Sequence, residues 1–433
     1  MSANIPAPSE RGMQKRSNKV CDQIEEINKT DMGELRKRVK EINTHRGNPP
    51  NKVDLMVDAN YNNPIYSGAG KNPFQPATQV MFSAIEHNTK DQYVVDLVTK
   101  NKLCNIWPPC ESEHTSHCKG NLPLASSIGN EQAYCYESLE NLKRDGLEVD
   151  KLVTDSDTGA FKAAEKRYKS GASCTKPTHN LDPIHLTRNF RKNILKCAKL
   201  EEIMPGSTKK ERQTIKKRFT CDLAARCQAE LYHLYDRHCG SLIPLQRAAH
   251  GVKEAIVKCY QGVHCECRTK SLVCAGKERN TWLTDNIYLP RDFKVSGGEA
   301  TVSKTLMEKV DARLGDSVLE KTLWNLTTQK VESVNRRLKR SLPSSVNFTR
   351  NFSGRAHRAV YSVNHGPGTA IKELCSGVGS PITAGSSVSK DLDKEQKRHL
   401  YNKVNHCGVK FRREIRDTKY SNYMTVKLMK KFM

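Results

Sequence analysis

Hydrophobic positions along the chain change period several times. Ile24, Ile27, Leu35, Val39 and Ile42 fall near helical spacing, and residues 21–45 are predicted as one amphipathic helix. Gly47, Pro49 and Pro50 break it. Three short β-rich runs follow at 53–59, 78–88 and 92–100, with polar or Gly/Pro-containing links, as in an antiparallel meander. The period then alternates. A helix is predicted at 130–145, a strand at 150–157, a helix at 158–171, a strand at 177–185 and a helix at 186–199. From about 200 to 320 the pattern is helical, with Leu245, Ala249, Val252, Ile256 and Cys259 on one face. The stretch QKVESVNRRLKRSL, 329–342, is helical again. Residues 1–20 are polar and expected to be disordered, and the Gly/Ser-rich stretch at 375–389 reads as a linker.

The order β-β-β-α-β-α-β-α is the connectivity of an RNase H-like domain. It predicts an α/β fold: a mixed five-stranded sheet with flanking helices, interrupted by an all-α insertion. The expected organisation is a disordered N-terminus (1–20), a helical lead-in (21–50) and a first part of the core (51–200) with a Cys/His insert at 104–118. A helical insertion (201–320), the Glu332 helix with the end of the core (321–374), a linker (375–393) and a basic tail (394–433) complete it.

Charge adds a partner. Lys plus Arg number 72 against 47 for Asp plus Glu, a formal net charge of +25. The basic runs are spread over 209–218, 336–340 and the last forty residues, which suits an extended nucleic acid better than a small acidic ligand. Solvated Lys-rich helix faces would give a similar pattern. No apolar run approaches the roughly 18 residues of a membrane span, so no membrane partner is expected. The start, MSANIPAPSERGMQKR, carries no secretory signal. The 16 Cys are therefore expected as reduced thiols in the cytosol or nucleus.

An RNase H-like sheet that transfers phosphoryl groups needs two or three carboxylates around two divalent metals, about 3.5–4 Å apart. Oxygen ligands suit Mg2+. Asp54 and Asp58 share a face of the first strand, and Asp58, at its end, is preferred. After the fourth strand, Asp155 is preferred to Asp157, which is equally a candidate helix N-cap. Glu332, on a late helix, is the third acid. Taken alone it is also explained by an i,i+4 ion pair with Arg336, which stabilises a helix by only about 0.2–0.5 kcal/mol.

These segments resemble a known family. VESVN (331–335) resembles the ES-x-N helix of Mutator-like DNA transposases, and VTDSDTGAF (153–161) their second-aspartate segment. DPIH (182–185) resembles their C/D-x-x-H element. Cys104-x5-Cys110, then His117-Cys118, Asn121 and SSIGNE (126–131), is similar to their Cys/His insert. The resemblance runs from about residue 53 to 370. It implies a DDE transposase that cuts DNA at terminal inverted repeats and joins 3′-hydroxyl ends to target DNA with Mg2+ or Mn2+. Asp58, Asp155 and Glu332 would be the metal-binding triad, supported by His185 and Asp157. Double-stranded DNA, both transposon ends and target, would be the partner, in the nucleus. A homodimer is expected because two ends must be synapsed. Two features depart from the family. Asp58-Ala59-Asn60-Tyr61 stands where Asp-Gly-x-Trp is frequent, and an N-terminal DNA-binding region is nearly absent, as in a truncated copy. The alternatives are a DNA-binding derivative without catalysis and a nuclease that does not join ends.

Cys104, Cys110, His114, His117 and Cys118 lie within 15 positions and offer the thiolates and imidazole that structural Zn2+ takes. His114 and His117 compete for one place, and the family pattern favours His117. A second group, His264, Cys265, Cys267 and Cys274, could bind zinc with His238 or Cys239 completing it. The bland readings are a polar loop and a Cys-rich helix junction. Cys197, Cys221, Cys227 and Cys259 fall at helical positions, as small core residues do. His185 would orient the scissile phosphate or a metal-bound water, or simply cap the next helix. Arg188, Arg191, Lys192, Arg336, Arg337, Lys339, Arg340, Arg355 and Arg358 are the expected contacts to DNA phosphates.

Overall fold

The computed structural model describes residues 9–63, 77–111, 113–155, 158–277, 280–284 and 286–405. A long helix, α1 (Glu10–His45), leads into β1 (Lys52–Tyr61), β2 (Gln79–Glu86) and β3 (Val94–Asn101). Then come α2 (Glu131–Arg144), β4 (Glu148–Thr154), α3 (Gly159–Lys169), β5 (Thr178–Leu181) and α4 (Pro183–Lys196). The insertion comprises α5 (Ala198–Glu202), α6 (Lys209–His238), α7 (Leu242–Tyr260), α8 (Cys267–Lys270), α9 (Glu299–Leu314) and α10 (Asp316–Thr322). The chain returns through α11 (Gln329–Ser341), α12 (Phe352–His365), α13 (Pro367–Gly377) and α14 (Ser387–Val404).

The sheet order is β3-β2-β1-β4-β5. β1, β2 and β3 pair antiparallel, whereas β4 adds parallel to β1 and β5 parallel to β4. This is the RNase H-like arrangement that the alternating periods predict.

Both faces of the sheet are covered, which is why its strands are apolar on both sides. Val53, Leu55 and Val57 of β1 point into one core with Tyr134, Leu139 and Leu142 of α2 and Ala160 and Ala163 of α3. Met56 points the other way, into a core with Val331, Val334 and Leu338 of α11 and Ala356 and Val360 of α12. The insertion has its own core, built from Phe219, Leu223 and Leu231 of α6, Val252 and Ile256 of α7 and Leu306 and Val310 of α9.

Three boundaries differ from expectation. Residues 10–20, expected to be disordered, begin α1, whose first turn is capped by Ser9 accepting from the Gly12 N–H. The fifth strand stops at Leu181 because Asp182 caps α4 and Pro183 fills its first turn, where a missing N–H costs nothing. The expected linker and tail are helical from 387 to 404, with Ser386 capping α14 by accepting from the Ser389 N–H. Gly368 lies so close to Leu392 that a Cβ there would collide with its carbonyl, so α13 and α14 meet backbone to backbone. Composition suggested a linker; the Ser residues instead serve as cap and first turn. The tail beyond 405 lies outside the described residues, among which no helix is long and apolar enough to cross a membrane.

Leu338 anchors α11 to the sheet and is fully buried. Leu338→Ala is expected to lower the unfolding free energy by about 2–5 kcal/mol, read by urea denaturation.

Candidate active site

Strand pairing brings two of the predicted acids together. In the parallel β1–β4 register Met56 lies opposite Val153, and the same register continued by two residues sets Asp58 opposite Asp155. Neighbouring strands lie about 4.7–4.9 Å apart. Asp58 falls on the α11 face of the sheet, since it is two residues from Met56. Asp54, the rejected alternative on that face, is taken up by Lys151, whose Nζ is 3.0 Å from Asp54 Oδ2.

The Asp58 carboxyl is pushed up to about 7, first by burial, then by the charges of Asp155 and Glu131. His185 acts on it in the opposite sense, as does the backbone N–H of Ala59. The Asn335 amide donates to Asp58 Oδ2 at 2.7 Å. A buried carboxyl whose pKa is raised by neighbouring carboxylates is what a divalent cation would relieve, so these residues fit the hard, oxygen-preferring metal that the fold implies.

Glu332 lies in the first turn of α11. His185 Nε2 is 2.8 Å from Glu332 Oε1, and both side chains are about a quarter exposed, at 23% and 27%. Arg188 and Arg336 stand 3.7 and 3.6 Å from the same carboxylate. The structure thus contains the bland i,i+4 pair and, beside it, the His185 contact to the same carboxylate. Among the described residues, the metal-competent groups whose ligand atoms all close to within 4.8 Å are two Cys/His clusters; the Asp58–Asp155–Glu332 set is wider. Asp157 lies outside the described residues, and Thr158 occupies the cap position of α3.

Three residues at the site, Asn335, Glu131 and Asp182, have no assigned role in the sequence reading. Asn335 is the last residue of the ES-x-N motif, and its contact with Asp58 gives that motif a physical role. Glu131 opens α2 and accepts from the Tyr61 hydroxyl at 2.9 Å, Tyr61 standing where the resembled family has Trp. Asp182 is buried and caps α4 by accepting from the Ile184 N–H at 2.7 Å. Its other oxygen accepts from the Thr328 N–H (3.0 Å) and hydroxyl (2.6 Å), at the N-terminus of α11. One carboxylate therefore joins the two helices that carry His185 and Glu332. An aspartate before Pro signals a helix cap, but nothing in its sequence context points to residue 328.

The expected cations separate into groups. Arg188 and Lys192 of α4 and Arg336, Lys339 and Arg340 of α11 are exposed on the two helices that meet at the acids. Arg191 and Arg337 are exposed on the same two helices, and Arg191 donates to the Cys221 sulfur at 3.0 Å. Arg355 and Arg358 belong elsewhere. Arg355 lies over the Phe348 ring at 4.6 Å, and Arg358 lines a cavity with Val20, Ile24 and Leu374.

The Cys/His insert closes as a metal-competent group, but with a different histidine. Cys104, Cys110, His114 and Cys118 bring their ligand atoms within 4.8 Å of one another. His114 Nδ1 is 3.4 Å from both Cys104 and Cys118 Sγ, and its Nε2 is 3.0 Å from the Leu122 carbonyl, which orients the ring. His117 is exposed. A Cβ on Gly120 would collide with the His114 ring, so the ring occupies space that only glycine leaves. The Cys110 thiol is drawn down to about 7, first by the Thr115 backbone N–H, then by His114 and the neighbouring thiols. These four fit a tetrahedral Zn2+. The second group is also corrected: it consists of Cys259, His264, Cys267 and Cys274, whereas Cys265 and Cys239 are exposed.

Asp182→Ala leaves the Thr328 donors buried and unpaired, and is expected to cost about 1–3 kcal/mol in unfolding free energy. Thr328→Val, which removes one donor, should cost less. Gly120→Ala is expected to lower zinc retention during dialysis against a chelator, with His117→Ala unchanged from wild type.

No curated protein matches the chain. Among solved structures, a chain of the Drosophila P element transposase strand transfer complex matches at 10% identity and a TM-score of 0.27, covering 72% of this chain and 77% of that one. That likeness is too slight to bear on the site. The sequence model of the Mutator-like transposase family matches residues 1–274, which include Asp58, Asp155, His185 and both Cys/His groups and stop short of α11. With well over half of its length matched, the chain belongs to the Mutator-like transposase family.

Proposed function

We propose that this chain is a DDE-type transposase that cuts DNA at transposon ends and joins the 3′-hydroxyl ends to target DNA. Asp58, Asp155 and Glu332 would hold Mg2+ or Mn2+, which would supply an activated attacking oxygen and a stabilised leaving oxygen. The observation that supports the reading is the parallel β1–β4 register, which pairs Met56 with Val153, each two residues before Asp58 and Asp155, together with the Asn335 amide of the Glu332 helix donating to Asp58. Asn335 fixes one oxygen of Asp58, and His185 orients Glu332. Arg188, Lys192, Arg336, Lys339 and Arg340 line the approach and would grip the phosphates flanking the cut. The Cys104–Cys118 group would hold a structural Zn2+. The protein would work in the nucleus as a homodimer that synapses two ends of double-stranded DNA.

A second reading, a DNA-binding derivative without catalysis, is favoured by one observation. Glu332 is engaged by His185, Arg188 and Arg336, and the three acids do not close as the Cys/His groups do.

The deciding assay is Mn2+-dependent joining of a 3′-hydroxyl oligonucleotide from the element end to plasmid DNA. Asp58→Asn and Glu332→Gln are each expected to lower joining by about 100-fold or more while DNA binding persists. Binding without nicking or joining by wild type would sink the enzyme reading and leave the second. Nicked products without joined ends would identify a nuclease.

A further inference from the structure

The insertion contains a second group of soft ligands far from the acids in sequence. Cys259 ends α7, His264 follows the turn at Gly262, Cys267 opens α8 and Cys274 lies in the loop beyond. One ligand atom from each lies within 4.8 Å of the other three. The three cysteines are nearly sealed from solvent, at 0%, 0% and 3% exposure. They are free thiols, so no disulfide accounts for their proximity.

We propose that Cys259, His264, Cys267 and Cys274 form a structural Zn2+ site that pins the insertion. The spacing, C-x4-H-x2-C-x6-C, and the three-sulfur, one-nitrogen set are of the kind tetrahedral zinc takes. A core made only of buried thiols would not need the histidine. Yet the His264 Nδ1 is buried with no hydrogen-bond partner, an expensive state for a ring nitrogen unless it has a ligand to bind.

The surroundings suit bound thiolates. The Trp282 N–H donates to Cys274 Sγ at 3.3 Å, and the Gly276 N–H also donates to Cys274. The Arg226 guanidinium lies 3.8 Å from Cys259 Sγ. Three thiolates and Zn2+ carry a net charge of −1, which these donors and the guanidinium offset. Each thiol that is protonated before binding releases its proton to solvent when the metal binds. The loop is built for the purpose at Gly276, where φ is +66° and a Cβ would lie 2.7 Å from the His264 carbonyl oxygen. That close approach presses the Cys274 loop onto the His264 turn.

The site also has a role in the architecture. Arg226 sits under the Trp282 ring at 5.0 Å and pairs with Glu230 on α6, and Glu230 accepts from Ser271 and Leu272 just before Cys274. Zinc would therefore fasten the end of α7, α8 and the Trp282 loop to α6, the helix against which α4 packs.

The test is zinc stoichiometry of the full chain by mass spectrometry. Cys259→Ser and Cys274→Ser are each expected to lose one equivalent relative to wild type, and Cys265→Ser to lose none. Since misfolding would also cause either loss, wild type is also alkylated with and without a chelator. Cys259, Cys267 and Cys274 should be shielded at first, modified once zinc is stripped, and shielded again after Zn2+ alone is restored. Cys265 should react throughout. Unchanged zinc in Cys259→Ser would overturn the proposal. So would shielding of the three thiols that persists after all zinc is removed, which would mark a closed apolar thiol core.

Discussion

The parallel pairing of β1 with β4 is the constraint on which the site depends. Asp58 and Asp155 repel, and left to themselves would separate. The strands hold them because each buries side chains on both faces of the sheet: Leu55 and Leu152 into one core, Met56 and Val153 into the other. Fully burying one such side chain is worth about 1.5–3 kcal/mol, so four can hold a pair of carboxylates in an unfavourable position. Burial first, and this repulsion after it, raise the pKa of Asp58 to about 7, where an isolated carboxyl would ionise near 4. The fold stores this repulsion where a cation would remove it.

Much of this was legible in the sequence, and the limits follow from physics. Periodicity reports which face of an element is buried, so the order of strands and helices, and the positions of Asp58, Asp155 and Glu332 along it, could be read. In the structure Asp54, the other acid on that face, pairs with Lys151 at 3.0 Å. Periodicity says nothing about the path of a loop. His114 and His117 differ by three residues, and only the chain's course past Gly120 and the Leu122 carbonyl selects His114. Cys259 was hidden by its own helix: it belongs to the buried face of α7 and looks like packing, whereas the exposed Cys265 adjoins His264 in sequence without joining the group. Asn335, Glu131 and Asp182 act across separations of 277, 70 and 146 residues to Asp58, Tyr61 and Thr328, and no local pattern encodes such pairs.

The insertion is more than a passenger between the second acid and the third, and α4 is the reason. Its buried side, Phe190 and Ile194, belongs to the insertion core. Its first turn is gripped from the insertion by Arg313 of α9, fully buried, which donates to the Pro183 carbonyl at 3.0 Å and to the Thr187 hydroxyl at 3.1 Å. That turn carries His185, and Asp182 ties the same turn to the start of α11. The opposite side of α4 presents Arg188 and Lys192 to solvent. One helix thus has three neighbours: the insertion behind it, the acids at its N-terminus and open basic surface in front. A guanidinium buried as deeply as that of Arg313 is costly, and it is retained where its donors reach the turn that sets His185 against Glu332. The insertion is therefore connected to Glu332 through contacts that run from α9 to α4 and from α4 to α11.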